Sequence, residues 1–180
     1  SNVPENIVST TKREIRVSSN VTLGGQILRS TGPFANTGFI PPKSEQETTY
    51  TVVWTVDNTA NTASDAVVRS SLPPYVKWLD KISPAGEDIT YDRTTGQLVW
   101  NVGNLNTYTA GTSKRRQVAF QISLVPNVSQ VGTPLTLVNP SSVNAEDDFT
   151  GEVLKSNLGQ LTTRFSTDPS YKDGDDIVGR

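Results

Sequence analysis

Apolar and polar positions alternate along much of the chain, and this pattern predicts β-strands. The clearest case is residues 48–56, where Tyr50, Val52, Trp54 and Val56 share one face. Because successive side chains of a strand point to opposite faces, this segment predicts a strand that buries its aromatic face. No stretch has a convincing helical period.

Shorter segments with the same period follow one another, separated by turn-forming residues. Residues 89–91 and 96–102 flank a polar turn and predict a β-hairpin. Further strands are predicted at residues 14–17, 20–23, 64–72, 75–82, 117–125, 134–143 and 149–154. Short strands at this spacing predict an all-β, immunoglobulin-like antiparallel two-sheet sandwich. The large aromatic side chains expected to anchor its core are Tyr50, Trp54, Trp78 and Trp100.

The chain divides into three predicted regions. Residues 1–45 contain N-terminal strands and a long loop and are expected to belong to the same domain as the sandwich, which spans residues 46–165. Residues 166–180 are polar and rich in turn-forming residues, so they predict a linker or a seam between modules.

Composition excludes several classes of function. The 180 residues contain no Cys and no His, which removes disulfides, thiolate or imidazole metal sites and histidine-dependent catalysis. The net charge is −2, and the one dense basic run, residues 114–116, is too small to predict a nucleic-acid surface. No apolar run is long enough to insert into a membrane.

A succession of short motifs carries a family resemblance. The motifs are Thr49-Tyr50-Thr51-Val52, Val56-Asp57-Asn58, Ala66-Val67-Val68 before Leu72-Pro73, residues 98–105, Gly111-Thr112-Ser113, residues 118–124 and the strand at 137–144. Their order and spacing resemble the DUF11 or conserved-repeat domain of bacterial cell-surface proteins. The resemblance implies an immunoglobulin-like sandwich that serves outside a bacterial cell as a stalk, spacer or adhesive module.

Two acidic clusters are candidate calcium sites. One contains Asp147 and Asp148 with Glu146 and Glu152 beside them, and the other contains Asp168, Asp173, Asp175 and Asp176. Calcium binds carboxylate and carbonyl oxygens, and turns that carry several acids can supply them. The alternative is that both clusters are solvated acidic loops. No cofactor is required by the sequence, and calcium is the one candidate.

Loop aromatics are the candidate ligand contacts. Phe34, Phe39 and Tyr108 fall in predicted loops, where exposed rings could bind a carbohydrate. The alternative is that such rings close the ends of the sandwich. The sequence shows no pair of acids placed for glycoside hydrolysis, so no enzyme is predicted.

These observations predict a non-catalytic structural or adhesive module that makes contacts through loops and edge strands. Its expected partners are neighbouring modules of the same polypeptide or assembly, with a surface glycan or protein as a further candidate. Two alternatives stay open. One is a carbohydrate-binding module, and the other is a filament or sheath subunit that assembles by strand addition, with residues 14–17 as the added strand.

Overall fold

The structure is a computed structural model that describes residues 19–106 and 115–180. Within these residues the secondary structure is almost entirely β, and no helix is long and apolar enough to cross a membrane. A 3₁₀ turn occupies Val128–Gln130. The strands are β1 (Val21–Leu28), β2 (Thr48–Asn58), β3 (Ala63–Ser71), β4 (Val76–Ser83), β5 (Asp88–Tyr91), β6 (Gln97–Leu105), β7 (Arg116–Leu124), β8 (Thr136–Val138), β9 (Ser141–Asp147), β10 (Val153–Leu158) and β11 (Leu161–Thr162).

The strands form two packed antiparallel sheets and a small third one. Sheet 1 has the order β1-β2-β7-β4, and sheet 2 has the order β10-β9-β3-β6-β5. The first order is that of immunoglobulin strands A, B, E and D, while β3, β9 and β10 take the places of strands C, F and G. The β5–β6 hairpin extends sheet 2 beside β3, and β8 pairs with β11 alone. The predicted immunoglobulin-like two-sheet sandwich is therefore confirmed.

The aromatic side chains predicted for the core lie between the sheets. Tyr50, Trp54 and Trp100 are fully buried, and Trp78 is 6% exposed. The Trp54 ring packs edge-on against Phe120 with the ring centroids 5.1 Å apart, a favourable geometry for two aromatic rings. The hairpin prediction is also confirmed, because β5 pairs with β6 along its whole length.

The opposite face of β2 is buried as well, which the alternation did not predict. Thr49, Thr51 and Val53 are at most 7% exposed because the loop of residues 29–43 lies over this outer face of sheet 1. The loop is held there by its Asn36, whose side chain donates to Thr51 and accepts from Gln121. The long loop was predicted from sequence, but its attachment to the sheet was not.

Two predicted strand ranges were wrong in detail. The 134–143 range contains parts of two strands, since the chain leaves β8 at Val138 and begins β9 at Ser141 in another sheet. The 149–154 range lies mainly in a turn, and β10 begins at Val153. The turn forms because the Asp147 carboxylate accepts the backbone N–H groups of the two residues that begin the predicted range.

The C-terminal residues 166–180 are packed against the sandwich. Val178 is 1% exposed, and backbone hydrogen bonds join Gly179 to Pro42 and to Ser44. The segment is thus held within the domain rather than extending from it. Its use as a seam to a neighbouring module stays a prediction, and the predicted strand at 14–17 lies outside the described residues.

Candidate functional site

The last residue of β9, Asp147, carries a carboxylate with no exposed surface. Its Oδ2 accepts the backbone N–H of Ser19 at 2.7 Å and the side-chain amide of Asn61 at 3.0 Å. Its Oδ1 accepts the backbone N–H groups of Phe149 and Thr150, both at 2.9 Å. Burial alone would raise the pKa of Asp147, but these hydrogen bonds outweigh it and hold the pKa well below its usual range. The carboxylate therefore joins three segments at one end of the sandwich.

Asp168 forms a second buried carboxylate centre and is 3% exposed. Its Oδ2 accepts the consecutive backbone N–H groups of Arg29, Ser30 and Thr31 at 2.8, 2.9 and 3.1 Å. The hydroxyls of Ser30, Thr31 and Ser170 and the N–H of Ser170 also donate to it. Burial would raise the pKa of Asp168, yet these donors hold it well below its usual range.

The two carboxylates lie at opposite ends of β1. Asp147 holds Ser19, two residues before the strand begins at Val21, and Asp168 holds the three residues that follow its end at Leu28. β1 is an edge strand of sheet 1 and has β2 as its one ladder partner. The two carboxylates thus stabilise the ends of a strand that the ladder supports on one side alone.

Arg29 organises the loop that follows β1. Its Nη1 donates to the carbonyls of Thr37 and Thr49 at 2.7 and 2.6 Å, and its Nη2 donates to the carbonyl of Gly38 at 2.7 Å. Three carbonyls therefore share one guanidinium, which ties the 29–43 loop to β2. Burial lowers the pKa of Arg29, while nearby Tyr50 and Asp168 oppose that effect.

The C-terminal acids predicted as calcium ligands have individual partners. Asp175 accepts the backbone N–H of Lys172 at 2.8 Å, and Asp176 accepts the Tyr171 hydroxyl at 3.0 Å. Asp173 is exposed. These bonds are local, and they shape the C-terminal turn.

Asp147 and Asp148 of the other predicted cluster differ sharply, because Asp148 is exposed while both oxygens of Asp147 are occupied by N–H donors. Across residues 19–106 and 115–180, no three acidic side chains form a group that could hold a metal ion. Calcium binding at these positions stays a prediction.

Phe34, predicted as a ligand contact, packs against the outer face of sheet 1. There it covers a small apolar cluster formed by Leu28, Val53 and Ala119. The ring is partly buried and serves as part of the loop's attachment. The ring therefore covers the face of a sheet rather than an end of the sandwich, and a ligand contact by Phe34 stays a prediction.

Phe39 is the more accessible of the predicted contact residues, with 51% of its surface exposed. The Nζ of Lys43 lies 4.9 Å from the ring centroid, a distance that favours a cation–π interaction. Tyr108 lies outside the described residues. A sugar contact by these rings stays a prediction.

The sequence reasoning missed a cleft on the outer face of sheet 1. Its volume is about 590 Å³, within the usual range for ligand sites. It is lined by Pro33 of the 29–43 loop, Pro84 of the β4–β5 connection, and Arg115 and Arg116 at the start of β7. The lining residues are brought together by the register between neighbouring strands, and this register cannot be read from a single sequence.

Comparisons with known proteins show similarity of structure but not of sequence. No protein-family model and no curated protein matches the chain. The major pilin SpaD of Corynebacterium diphtheriae is similar over 79% of this chain and 35% of its own, at 12% identity and a TM-score of 0.45. For BcpA, the major pilin of Bacillus cereus, these values are 79%, 40%, 10% and 0.43.

A Vibrio harveyi exo β-N-acetylglucosaminidase is also similar, over 81% of this chain and 18% of its own, at 7% identity and a TM-score of 0.38. This chain spans less than half the length of each of these three proteins. Similarities at this level do not transfer a function from any of them.

Proposed function

We propose that this chain is a non-catalytic structural module of an extracellular bacterial surface assembly, in which the sandwich acts as a rigid spacer. The extracellular setting follows the sequence resemblance to surface repeats. The spacer role is supported by where the chain enters and leaves the sandwich. Contacts with other molecules would then be made by loops, as the sequence predicts.

The observation that carries the proposal is that Ser19 and Gly179 lie at opposite ends of β2. Val21 pairs with Asn58 at the end of β2, so the chain enters the sandwich there. Gly179 is hydrogen-bonded to Ser44, shortly before β2 begins. The 11 residues of β2 span about 35 Å at roughly 3.4 Å per residue. A module with this geometry adds length when it is joined to neighbours.

The attachment of the exit segment also suits a spacer. Ile177 bridges to Pro134, and Val178 donates to the carbonyl of Thr133. Together with the Asp168 centre, these contacts hold residues 166–180 against two different parts of the domain. A force applied to the C-terminus would therefore act directly on residues that are hydrogen-bonded to the sandwich.

The acids of the cleft support a non-catalytic role. Glu87 is the acidic residue among those that line it, and its side chain is 12% exposed. Both of its oxygens accept from Arg116, and one also accepts from the Trp100 indole at 2.8 Å. Hydrolysis of a glycoside needs a second acid and a free proton donor, and the described residues that line this cleft supply neither.

The described strand edges argue against the filament alternative. β5 has only four residues, and β4 is interrupted by a register shift and by Asp80, whose φ of 56° departs from extended backbone. β1 and β10 lie beside each other, with the Leu23 N–H donating to Ser156. Short, irregular or covered edges resist strand addition. This leaves the spacer as the favoured structural role.

A distance measurement tests the geometry. The chain has no Cys, so the double variant Asn20→Cys/Arg180→Cys can be spin-labelled at two defined sites. We expect a narrow distance distribution centred at about 30 to 40 Å. A control pair, Asn20→Cys/Asp148→Cys, places both labels at the Asp147 end and is expected to give less than about 20 Å.

A pulling experiment through the same two cysteines, 20 and 180, tests the load-bearing role. A spacer is expected to keep its length under force and then unfold in one cooperative event. Gradual lengthening at low force, or a broad label distribution centred below the control distance, would contradict the proposal.

A further inference from the structure

The chain contains three Asn-X-Ser/Thr sequences, and the structure places them in different surroundings. They begin at Asn20, Asn127 and Asn139. Enzymes that attach a sugar to asparagine require this sequence, with any residue except proline in the middle position. Pro140 therefore removes the third sequence. Sequence alone gives no preference between Asn20 and Asn127.

The sequence that begins at Asn20 lies in a β-ladder. Its middle residue, Val21, is 1% exposed and pairs with Asn58 of β2. The Asn20 N–H donates to the Thr59 hydroxyl at 3.1 Å, and the Asn20 carbonyl accepts the Thr59 N–H at 3.1 Å. A transferase has to draw the acceptor segment into its own active site. For this sequence that step breaks part of sheet 1.

The sequence that begins at Asn127 lies in the connection between β7 and β8. Asn127, Val128 and Ser129 are all exposed, and Val128 has 63% of its surface exposed. Among the described residues, no strand pairs with this segment. Its backbone bonds are local, from the Gln130 N–H to the Asn127 carbonyl at 3.1 Å and from the Val131 N–H to the Val128 carbonyl at 3.4 Å. The segment is therefore accessible without opening a sheet.

Both ends of this loop are held by the rest of the domain. The Pro126 carbonyl accepts the Glu45 N–H at 2.7 Å, and the Gly132 N–H donates to the Val178 carbonyl at 2.9 Å. Residues 127–131 thus form a short exposed segment on a fixed base. A group attached within this segment disturbs neither sheet.

The side chain of Asn127 leaves its nitrogen available for reaction. Its Oδ1 accepts the Ser129 hydroxyl at 2.6 Å, whereas no described residue accepts a hydrogen bond from its Nδ2. A hydrogen bond to the amide oxygen polarises the amide and favours loss of a proton from the nitrogen. The hydroxyl that acceptor sequences require is thus already in contact with the same amide.

We propose that Asn127 is an N-glycosylation site, to which a transferase attaches a sugar from a glycosyl diphosphate donor. The Nδ2 nitrogen forms a bond to the anomeric carbon of the sugar, and its proton passes to a base of the transferase. The bond between the anomeric carbon and the diphosphate oxygen breaks, and the diphosphate leaves with the electron pair. This inference is independent of the spacer role, because it concerns one loop and not the two ends of the sandwich.

Transfer to the purified, folded full chain tests the proposal. The donor is a nucleotide sugar or a lipid-linked oligosaccharide, since both carry the sugar on a diphosphate. One reaction therefore uses a soluble N-glycosyltransferase with UDP-glucose, and the other uses an oligosaccharyltransferase with a lipid-linked oligosaccharide. Peptide mass spectrometry is expected to find the sugar on Asn127, and not on Asn20, in at least one reaction. The added mass, one hexose or an oligosaccharide, identifies the donor.

Variants test the role of the hydroxyl. Asn127→Gln and Ser129→Ala are each expected to abolish the transfer, whereas Ser129→Thr keeps the hydroxyl and is expected to retain it. The matched control is Asn20→Gln, which removes the sequence in the ladder and should leave the transfer unchanged. Because residues 127 and 129 are exposed, none of these loop substitutions should change the melting temperature.

A synthetic peptide of residues 123–131 is the positive control for each enzyme, because it carries the same acceptor sequence without the fold. Modification of this peptide but not of the folded chain, in both reactions, would overturn the proposal. So would equal modification of Asn20 and Asn127, or transfer to Asn127 that persists in Ser129→Ala. An unmodified Asn127 in protein isolated from the cells that produce it would overturn it as well.

Discussion

Asp147 and Asp168 are both buried carboxylates beside β1, but they draw on different donors. Asp147 takes two of its N–H donors from the turn that immediately follows it, and two from distant segments. Asp168 takes five donors from residues 29–31 and two from Ser170 nearby. Asp147 therefore joins a hairpin turn to two distant segments, whereas Asp168 joins the C-terminal segment to the end of β1.

The two carboxylates therefore contribute to stability in different ways. The two turn donors of Asp147 lie two and three residues from it, so closing that turn costs little chain entropy. Five of the seven donors to Asp168 lie 137 to 139 residues earlier in the chain. Without the carboxylate, three consecutive N–H groups at a partly buried site lose their acceptor.

The largest expected effect is that of Asp168→Asn. The amide keeps one acceptor oxygen but points an NH₂ group at N–H and O–H donors, so we expect the free energy of unfolding to fall by about 3 kcal/mol. Urea denaturation measures it. Asp175→Asn is the control, since that acid accepts a local N–H in the same segment, and it should cost much less.

Asp147→Asn is expected to destabilise the protein by roughly half as much as Asp168→Asn, because fewer distant donors are lost. Asp148→Asn, next to it but exposed, should leave the urea midpoint unchanged. Hydrogen exchange should show faster exchange of the Ser19, Phe149 and Thr150 amides in the Asp147 variant alone. A larger loss of stability for Asp147→Asn than for Asp168→Asn would contradict these roles of the two carboxylates.

Acid should destabilise the protein through both carboxylates. Their pKa values are held below the unfolded value of about 3.9, so each contributes stability that is fully present above that pH and is lost as pH falls through the folded pKa. We expect the free energy of unfolding to be flat above about pH 5 and to fall below about pH 4. Asp168→Asn should reduce the slope below pH 4, and an unchanged slope would contradict the assignment.

A smaller effect is expected for Ser170→Ala. The hydroxyl of Ser170 donates to Asp168 Oδ1 at 2.7 Å, but the backbone N–H of the same residue remains bonded to it. The loss of one donor among several should cost about 0.5 to 1 kcal/mol. Thermal unfolding would measure the change, and a loss as large as that of Asp168→Asn would show that the donors act as one unit.

Calcium is expected to have the smallest effect of all. Both oxygens of Asp147 are already hydrogen-bonded, and Asp175 and Asp176 each have a local partner. A melting curve with millimolar calcium should therefore match one with chelator. A higher midpoint of thermal unfolding in calcium would support the metal site predicted from the sequence.

Much of the sandwich could be predicted because its signal is local. Alternation in β2 is visible within nine residues, and the β5–β6 hairpin is marked by the turn chemistry between its strands. The predicted β10 was misplaced because the Asp147 carboxylate converts the start of an apparently apolar strand into a turn. Alternation alone does not reveal which side chain accepts the backbone hydrogen bonds.

The candidate sites were less predictable because their residues come from distant parts of the chain. The sequence placed Asp168 in a candidate calcium cluster or a solvated acidic loop, whereas five of its donors lie 137 to 139 residues earlier. The cleft depends on strand register, which brings Gln26 and Ser83 into one row. Phe34 looked exposed but covers the outer face of sheet 1.

The sequence by itself determined the class of fold, the aromatic core and the absence of cysteine and histidine chemistry, because these follow from residue type and a two-residue period. Only the tertiary structure decided which acids are buried, which loop covers a sheet, and at which ends of the sandwich residues 19 and 179 lie. Those features depend on contacts between segments far apart in the chain, and local pattern carries no information about them.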